Sequence, residues 1–182
     1  MIISMNLICK KEMFKFPSIF SKILLIAIGF LFLNTSYAQQ KLSIYDSLGI
    51  MPEFRYYQLN GNVFAPDSLP QGKQIVMIYL KKDCPYCEEQ IEMILSHSKD
   101  LSTDVEFILI SKEDTAFIMD YAIKHKIAGN ERIKFIQDKE RLYYRYCKAS
   151  YTPSIHIYNK KRKLVLFHEG VLDYKQLLEY IK

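Results

Sequence analysis

Cys84 and Cys87 stand two residues apart in the stretch Lys81-Lys82-Asp83-Cys84-Pro85-Tyr86-Cys87-Glu88-Glu89-Gln90. Two thiols at that spacing can ligate a metal, anchor a haem, close a static disulfide, or carry electrons by making and breaking that disulfide. A structural zinc centre would need a second such pair or histidines at ligand spacing. No second Cys-x-x-Cys exists, and His97, His125, His156 and His168 are scattered. Haem attachment would need histidine directly after Cys87, where Glu88 stands. Thiol–disulfide exchange is the chemistry that remains best matched, provided that the chain presents the pair where a thiolate is stabilised.

The flanking residues supply that setting. Residues 75–80 (Ile-Val-Met-Ile-Tyr-Leu) are apolar and rich in β-formers, which predicts a buried strand. After the motif, Cys87, Ile91, Ile94 and Leu95 recur at the spacing of one helix face. The cysteines therefore fall where a strand hands over to a helix N-terminus, whose free N–H groups and dipole favour an anion. Cys84, nearest the helix start, is the predicted nucleophile. Pro85 suits the first turn, where a missing N–H costs nothing. Cys87, one turn on and facing inward, is placed to resolve a mixed disulfide.

The 182 residues make about one domain, and 49% of them are hydrophobic, enough for a core. Residues 1–38 are expected to be a secretory signal peptide. Lys10, Lys11, Lys15 and Lys22 precede an apolar run over 23–33, and Ser36-Tyr37-Ala38 offers small residues for cleavage before Gln39. The alternative is an uncleaved anchor, for which the run is short. Cleavage would remove four lysines and one glutamate of a chain whose net charge is +5, so neither nucleic acid nor an acidic membrane is implied as a partner. Export would leave Cys84, Cys87 and Cys147 in an oxidising, periplasmic or extracytoplasmic compartment.

Residues 39–52 read as an N-terminal arm, and 54–59 and 62–65 as a β-hairpin around Asn60-Gly61. A second buried strand over 105–110 should lie parallel to the first, joined by the crossover helix. Residues 114–127 predict a helix capped by Asp114 and ended by Gly129, with Phe117, Tyr121 and Ala122 as its apolar stripe. A short strand over 133–136 and a tyrosine-rich helix over 139–148 follow; Tyr143, Tyr144 and Tyr146 are expected to pack with their hydroxyls at the rim. Thr152-Pro153 precedes a strand over 154–158, a basic hairpin leads to 164–167, and a last helix carries Leu177, Leu178 and Ile181.

In this order the motifs resemble a thioredoxin-fold protein, and more closely the exported thiol–disulfide oxidoreductases of the TlpA/ResA redoxin type. The arm and hairpin, Cys84-Pro85-Tyr86-Cys87 after a strand, Thr152-Pro153 before a strand, and the closing strand and helix carry the resemblance over residues 50–182. It implies an α/β thioredoxin fold, a central mixed sheet flanked by helices with an N-terminal β-hairpin extension, over a domain spanning 53–182. It implies that Pro153 is cis and lies against the cysteines, and that Thr152 pairs with an extended substrate, with Pro85 and Tyr86 beside it. The family's aromatic residue before the first cysteine is Asp83 here, which opposes the dipole's effect on Cys84, while Lys81 and Lys82 act the other way. Ile78 stands where cytosolic thioredoxins carry a buried acid, leaving Glu88 and Glu89 as the nearest proton acceptors for Cys87. Cys147 matches no motif and reads as a buried small hydrophobe.

The function expected is an extracytoplasmic oxidoreductase that reduces disulfides of exported proteins. Its redox group would be the Cys84–Cys87 pair, with no metal or organic cofactor, a membrane-borne dithiol as electron donor and a monomeric state. The rivals are a disulfide oxidase or isomerase, a binding module with a static disulfide, and a carrier of Cu(I).

Overall fold

A computed structural model describes residues 49–147 and 149–181. The expected signal peptide and most of the arm lie outside the described residues, as does Lys148.

Seven strands form one mixed sheet in the order β2-β1-β5-β4-β3-β6-β7. They are β1 (Tyr56–Tyr57), β2 (Val63–Phe64), β3 (Gln74–Leu80), β4 (Val105–Ser111), β5 (Ile133–Gln137), β6 (Ser154–Tyr158) and β7 (Leu164–Glu169). The helices among the described residues are α1 (Pro85–Ser96), α2 (Thr115–Lys124), α3 (Leu142–Cys147) and α4 (Tyr174–Tyr180), with a 3-10 turn at Pro66–Ser68. This is a thioredoxin-like fold with a β-hairpin at one edge.

β3 is the axis. It pairs in parallel with β4, Ile78 opposite Leu109, and antiparallel with β6, Ile78 opposite Ile155. All seven of its residues are buried, because both faces of the sheet are covered, and the strand accordingly reads as an unbroken apolar run rather than an alternation. Successive side chains serve different cores. Val76, Ile78 and Leu80 join Cys84, Cys87, Ile91 and Ile94 on one face, while Ile75, Met77 and Tyr79 join Phe54, Phe64, Tyr143 and Cys147 on the other. Each fully buried isoleucine contributes on the order of 1.5–3 kcal/mol of transfer free energy. Cys147 is buried and not disulfide-bonded, and the sheet lies between it and the cysteine pair.

Several expectations shift by local chemistry. The hairpin turn is Leu59-Asn60-Gly61 rather than Asn60-Gly61: Gly61 N donates to Gln58 O at 2.9 Å and adopts φ 84, a tight turn closed by a left-handed residue. Its strands are two residues each, and Met51 already packs in the second core, so the packed domain begins before residue 53. Asp114 caps α2 as expected, its Oδ1 accepting from Phe117 N at 2.8 Å. The helix ends at Lys124, earlier than expected, because Lys126 turns left-handed at φ 54 and Ile127 N reaches back to Ala122 O at 2.8 Å. On α1 the inward position after Cys87 is shared by Gln90, whose amide spans the backbone N and O of Leu172, and Leu95 is only partly buried. On α4, Leu178 is exposed, and Leu177 and Ile181 make the contact.

The tyrosine helix is shorter than expected, since Asp138 caps it from below: its carboxylate accepts from Leu142 N at 2.7 Å and Tyr143 N at 2.9 Å. Burial pushes the Asp138 carboxyl up, against those two N–H donors. Tyr146 stays exposed as expected of a rim residue, but Tyr143 does not: it is fully buried, stacked on Tyr79, with its hydroxyl 2.6 Å from His156 Nδ1 and 3.0 Å from Ser154 O. His156, on the β6 face opposite Met77, is 1% exposed and stacks on Phe167.

Burial lowers the His156 pKa to about 3, so the imidazole is neutral in the fold but protonates near 6.5 once unfolded. The unfolded state therefore binds more protons below pH 6.5, and stability is lost as pH falls from there toward 3. Denaturant unfolding between pH 6.5 and 4.5 should show a loss of up to about 1.4 kcal/mol per pH unit from this group. In His156→Gln that part of the slope should vanish.

Candidate active site

The end of β3 and the start of α1 are four residues apart, and the site is built in that gap. Asp83 takes φ 55, a left-handed conformation that aspartate tolerates better than most residues. Cys84 then returns to extended backbone, φ −120 and ψ 97, as the N-cap of α1, with Pro85 as the first helical residue. Its Sγ accepts a hydrogen bond from Cys87 N at 3.2 Å, and its carbonyl accepts from Cys87 N at 3.0 Å and Glu88 N at 3.2 Å. A cysteine thus holds the place that serine or aspartate ordinarily takes, and its sulfur faces the helix dipole. Cys84 and Cys87 are joined as a disulfide, with Cα atoms 5.2 Å apart. The pair is largely covered, at 6% and 1% exposure.

The loop before β6 closes over it. The Thr152–Pro153 bond is cis. Cys84 Sγ lies 3.6 Å from Thr152 Oγ1 and 3.7 Å from Thr152 O. The oxidised sulfur has no proton to give, so these are contacts now; a Cys84 thiolate could accept the threonine hydroxyl's hydrogen. Pro153 is buried, and its carbonyl accepts from Gly170 N at 2.8 Å. Glu169 fixes the same loop: its Oε1 accepts from Ser150 N and, at 3.0 Å, from Tyr151 N. Tyr86 and Tyr151 stand exposed at 64% and 71%.

The structure thus gathers Cys84, Cys87, Thr152 and Pro153 within one small volume, with Pro85 and Tyr86 exposed on the helix tip. In the sequence only its adjacency to Thr152 points to Tyr151. On the α2 side of Cys84 opens a groove of about 1180 Å³, walled by Glu88, Glu92, Phe117, Asp120 and Tyr121 among others. Nothing in the sequence brings α2 to that wall, because the contact spans about thirty residues of chain.

Ile78 is fully buried beneath the pair, so β3 offers no acid there. Among the described residues the buried acids are Glu106 and Asp138. Glu106 belongs to the opposite face of β4, held between Lys73 and Lys134, and Asp138 caps α3. Glu89 is exposed, whereas Glu88 pairs with Lys124 Nζ at 2.9 Å across to α2.

The Redoxin family model matches residues 49–166, more than half of the chain. This chain belongs to the redoxin family. Its fold is shared with StoA from Bacillus subtilis, at 14% identity and a TM-score of 0.56, covering 72% of this chain and 98% of that one. A secreted disulfide oxidoreductase of Mycobacterium tuberculosis, homologous to DsbE of E. coli, matches at 19% identity and a TM-score of 0.57, covering 70% and 92%. DsbF of the same organism matches at 17% and 0.55, covering 70% and 91%. No curated protein matches the sequence. At such identities the solved structures speak for the fold, and the family together with the Cys84–Cys87 disulfide makes this redoxin a thiol–disulfide oxidoreductase.

Replacing Thr152 by Val removes the side-chain hydroxyl that lies 3.6 Å from Cys84 Sγ. If it steadies the thiolate, the pH midpoint for alkylation of the reduced protein by iodoacetamide should rise by about one unit, equivalent to about 1.4 kcal/mol, near the low end for a hydrogen bond to a charge. An unchanged midpoint would show that the N–H of Cys87 and the helix dipole suffice.

Proposed function

We propose that this redoxin is an extracytoplasmic reductase of disulfides in exported proteins. The observation that carries the reading is a cysteine pair at a helix N-cap, its first sulfur in contact with Thr152, which a cis bond joins to Pro153, and flanked by exposed aromatic residues. Cys84 thiolate attacks one sulfur of a substrate disulfide, forming a mixed disulfide and releasing the first substrate thiolate. Cys87 thiolate then attacks Cys84 Sγ, releasing the second substrate thiolate. The substrate gains two electrons, and the protein is left as the Cys84–Cys87 disulfide. A dithiol donor at the membrane returns the electrons by the reverse exchange. The cysteine pair is the only redox group that this cycle uses, and one chain completes it.

Thr152, two residues before the start of β6, offers backbone groups with which an extended substrate segment pairs, while Pro153 forms the wall. Pro85 and Tyr86 touch the substrate from the helix side. Export is supported by the basic and apolar pattern of residues 1–38 and by the secretion of the Mycobacterium tuberculosis relative. No helix among the described residues is long and apolar enough to cross a membrane.

Two measurements test the reading. In Cys87→Ala, mixed disulfides should accumulate through Cys84 when disulfide-bearing proteins are supplied; none would be formed by a static binding module. The reduction potential of the pair, titrated in thiol–disulfide buffers, should fall near thioredoxin's, about −270 mV. A value near about −120 mV would reverse the direction and make the protein an oxidase or isomerase.

A further inference from the structure

Beside the redox helix lies a cluster that disulfide exchange leaves unused. Glu88 and Glu92 stand one turn apart on α1, and His125 caps the facing end of α2. One potential ligand atom from each of these three side chains lies within 4.8 Å of the other two. Two like charges one turn apart repel, so their juxtaposition calls for a cation between or beside them. Lys124 answers in part, at 2.9 Å from Glu88 Oε2, but its side chain is 65% exposed and such a surface pair is weak.

Two buried polar atoms at the same place make no aligned hydrogen bond within the protein. The His125 side chain is 6% exposed, and its Nε2 lies 2.7 Å from Glu88 Oε2 without the alignment of a hydrogen bond. Tyr121, one turn before it and 5% exposed, has a hydroxyl with no hydrogen-bond partner. That ring packs against the His125 imidazole at 4.3 Å and lies in the field of both glutamates, which, after burial, raises its hydroxyl's pKa. Leaving such groups unsatisfied is costly, and native structures complete them with an ordered water or an ion. The groove beside them is open to solvent, and five carboxylates (Asp83, Glu88, Glu89, Glu92 and Asp120) line it against two lysines, Lys82 and Lys124. Its field draws cations toward the cluster.

We propose that Glu88, Glu92 and His125 bind a divalent cation of the zinc class. Two carboxylates and a neutral imidazole suit zinc or a neighbouring first-row ion, whereas calcium and magnesium prefer oxygen alone and Cu(I) prefers sulfur. Three protein ligands leave a fourth position for water. That water would give the Tyr121 hydroxyl its missing partner, and Lys124 would turn outward to solvent as the ion replaced it. The site takes no electron from the cysteines and stands apart from the redox reading.

The test uses Zn²⁺ itself on the oxidised protein, in which the closed disulfide removes Cys84 and Cys87 as thiolate ligands. After chelator treatment, competition with a chromophoric zinc indicator should show one ion bound per chain. Substitution with Co²⁺ should give visible bands without sulfur-to-cobalt charge transfer. Cys84→Ala/Cys87→Ala, which has no redox pair, should bind equally well, as should Glu89→Gln. Glu92→Gln, an exposed position where folding is not at stake, should weaken binding at least tenfold, as should His125→Ala, since even outer-shell changes cost 10–100-fold. No ion bound by the oxidised protein, loss of binding with the cysteines, or full affinity in Glu92→Gln would each overturn the site.

Discussion

Everything at the site depends on one constraint: Cys84 must be at once the redox sulfur and the N-cap of α1. Because β3 is buried over its whole length and α1 begins at Pro85, the chain has four residues in which to leave the sheet and turn into a helix. Asp83 absorbs the turn in a left-handed conformation, and the sulfur of Cys84 takes the bond from Cys87 N that a cap residue must take. A thiolate here would keep as donor the N–H of Cys87, fixed by the helix itself, with the Thr152 hydroxyl beside it.

The second requirement is that another element approach this junction, and the sheet supplies it. β6 lies directly beside β3, so the loop that enters β6 arrives at the end of β3 from which Cys84 springs. Pro153, Gly170 and Glu169 tie that loop to the end of β7, which sets Thr152 against the sulfur. On the other side β4 leads into α2, which forms the wall of the acidic groove along α1. The two sides thus differ in chemistry: backbone and hydroxyl groups at Thr152, carboxylates and an imidazole between α1 and α2.

The protein's polar interior follows the same economy. Gln90, Asp138 and the Tyr143–His156 pair are buried, and each spends its hydrogen bonds on a junction: Gln90 holds the segment before α4, Asp138 starts α3, and Tyr143 joins α3 to β6. Glu106 likewise lies between two lysines under β4. Such groups cost free energy if left unpaired, so they specify which elements meet.

Local chemistry made much of this legible from sequence. An apolar run long enough for one strand, a Cys-x-x-Cys at its end, a helical face beyond it and Thr152-Pro153 before another strand are each set by near neighbours along the chain, and their order gave the fold and the pair Cys84–Cys87. The same locality sets its limit: the end of α2 and the start of α3 differ from what residue type predicts because a left-handed Lys126 and a capping Asp138 act through the backbone conformation, which residue type only biases. The interior place of Tyr143 is not legible in the sequence, since its partner His156 lies in β6, beyond the loop that follows α3. Nor could His125, which looks isolated in the sequence, be joined to Glu88 and Glu92; they meet only because β3 and β4 pair in parallel and their helices pack on one face. Sequence periodicity reports which side of an element is buried, but the partner on that side is chosen by sheet order, which only the folded chain fixes.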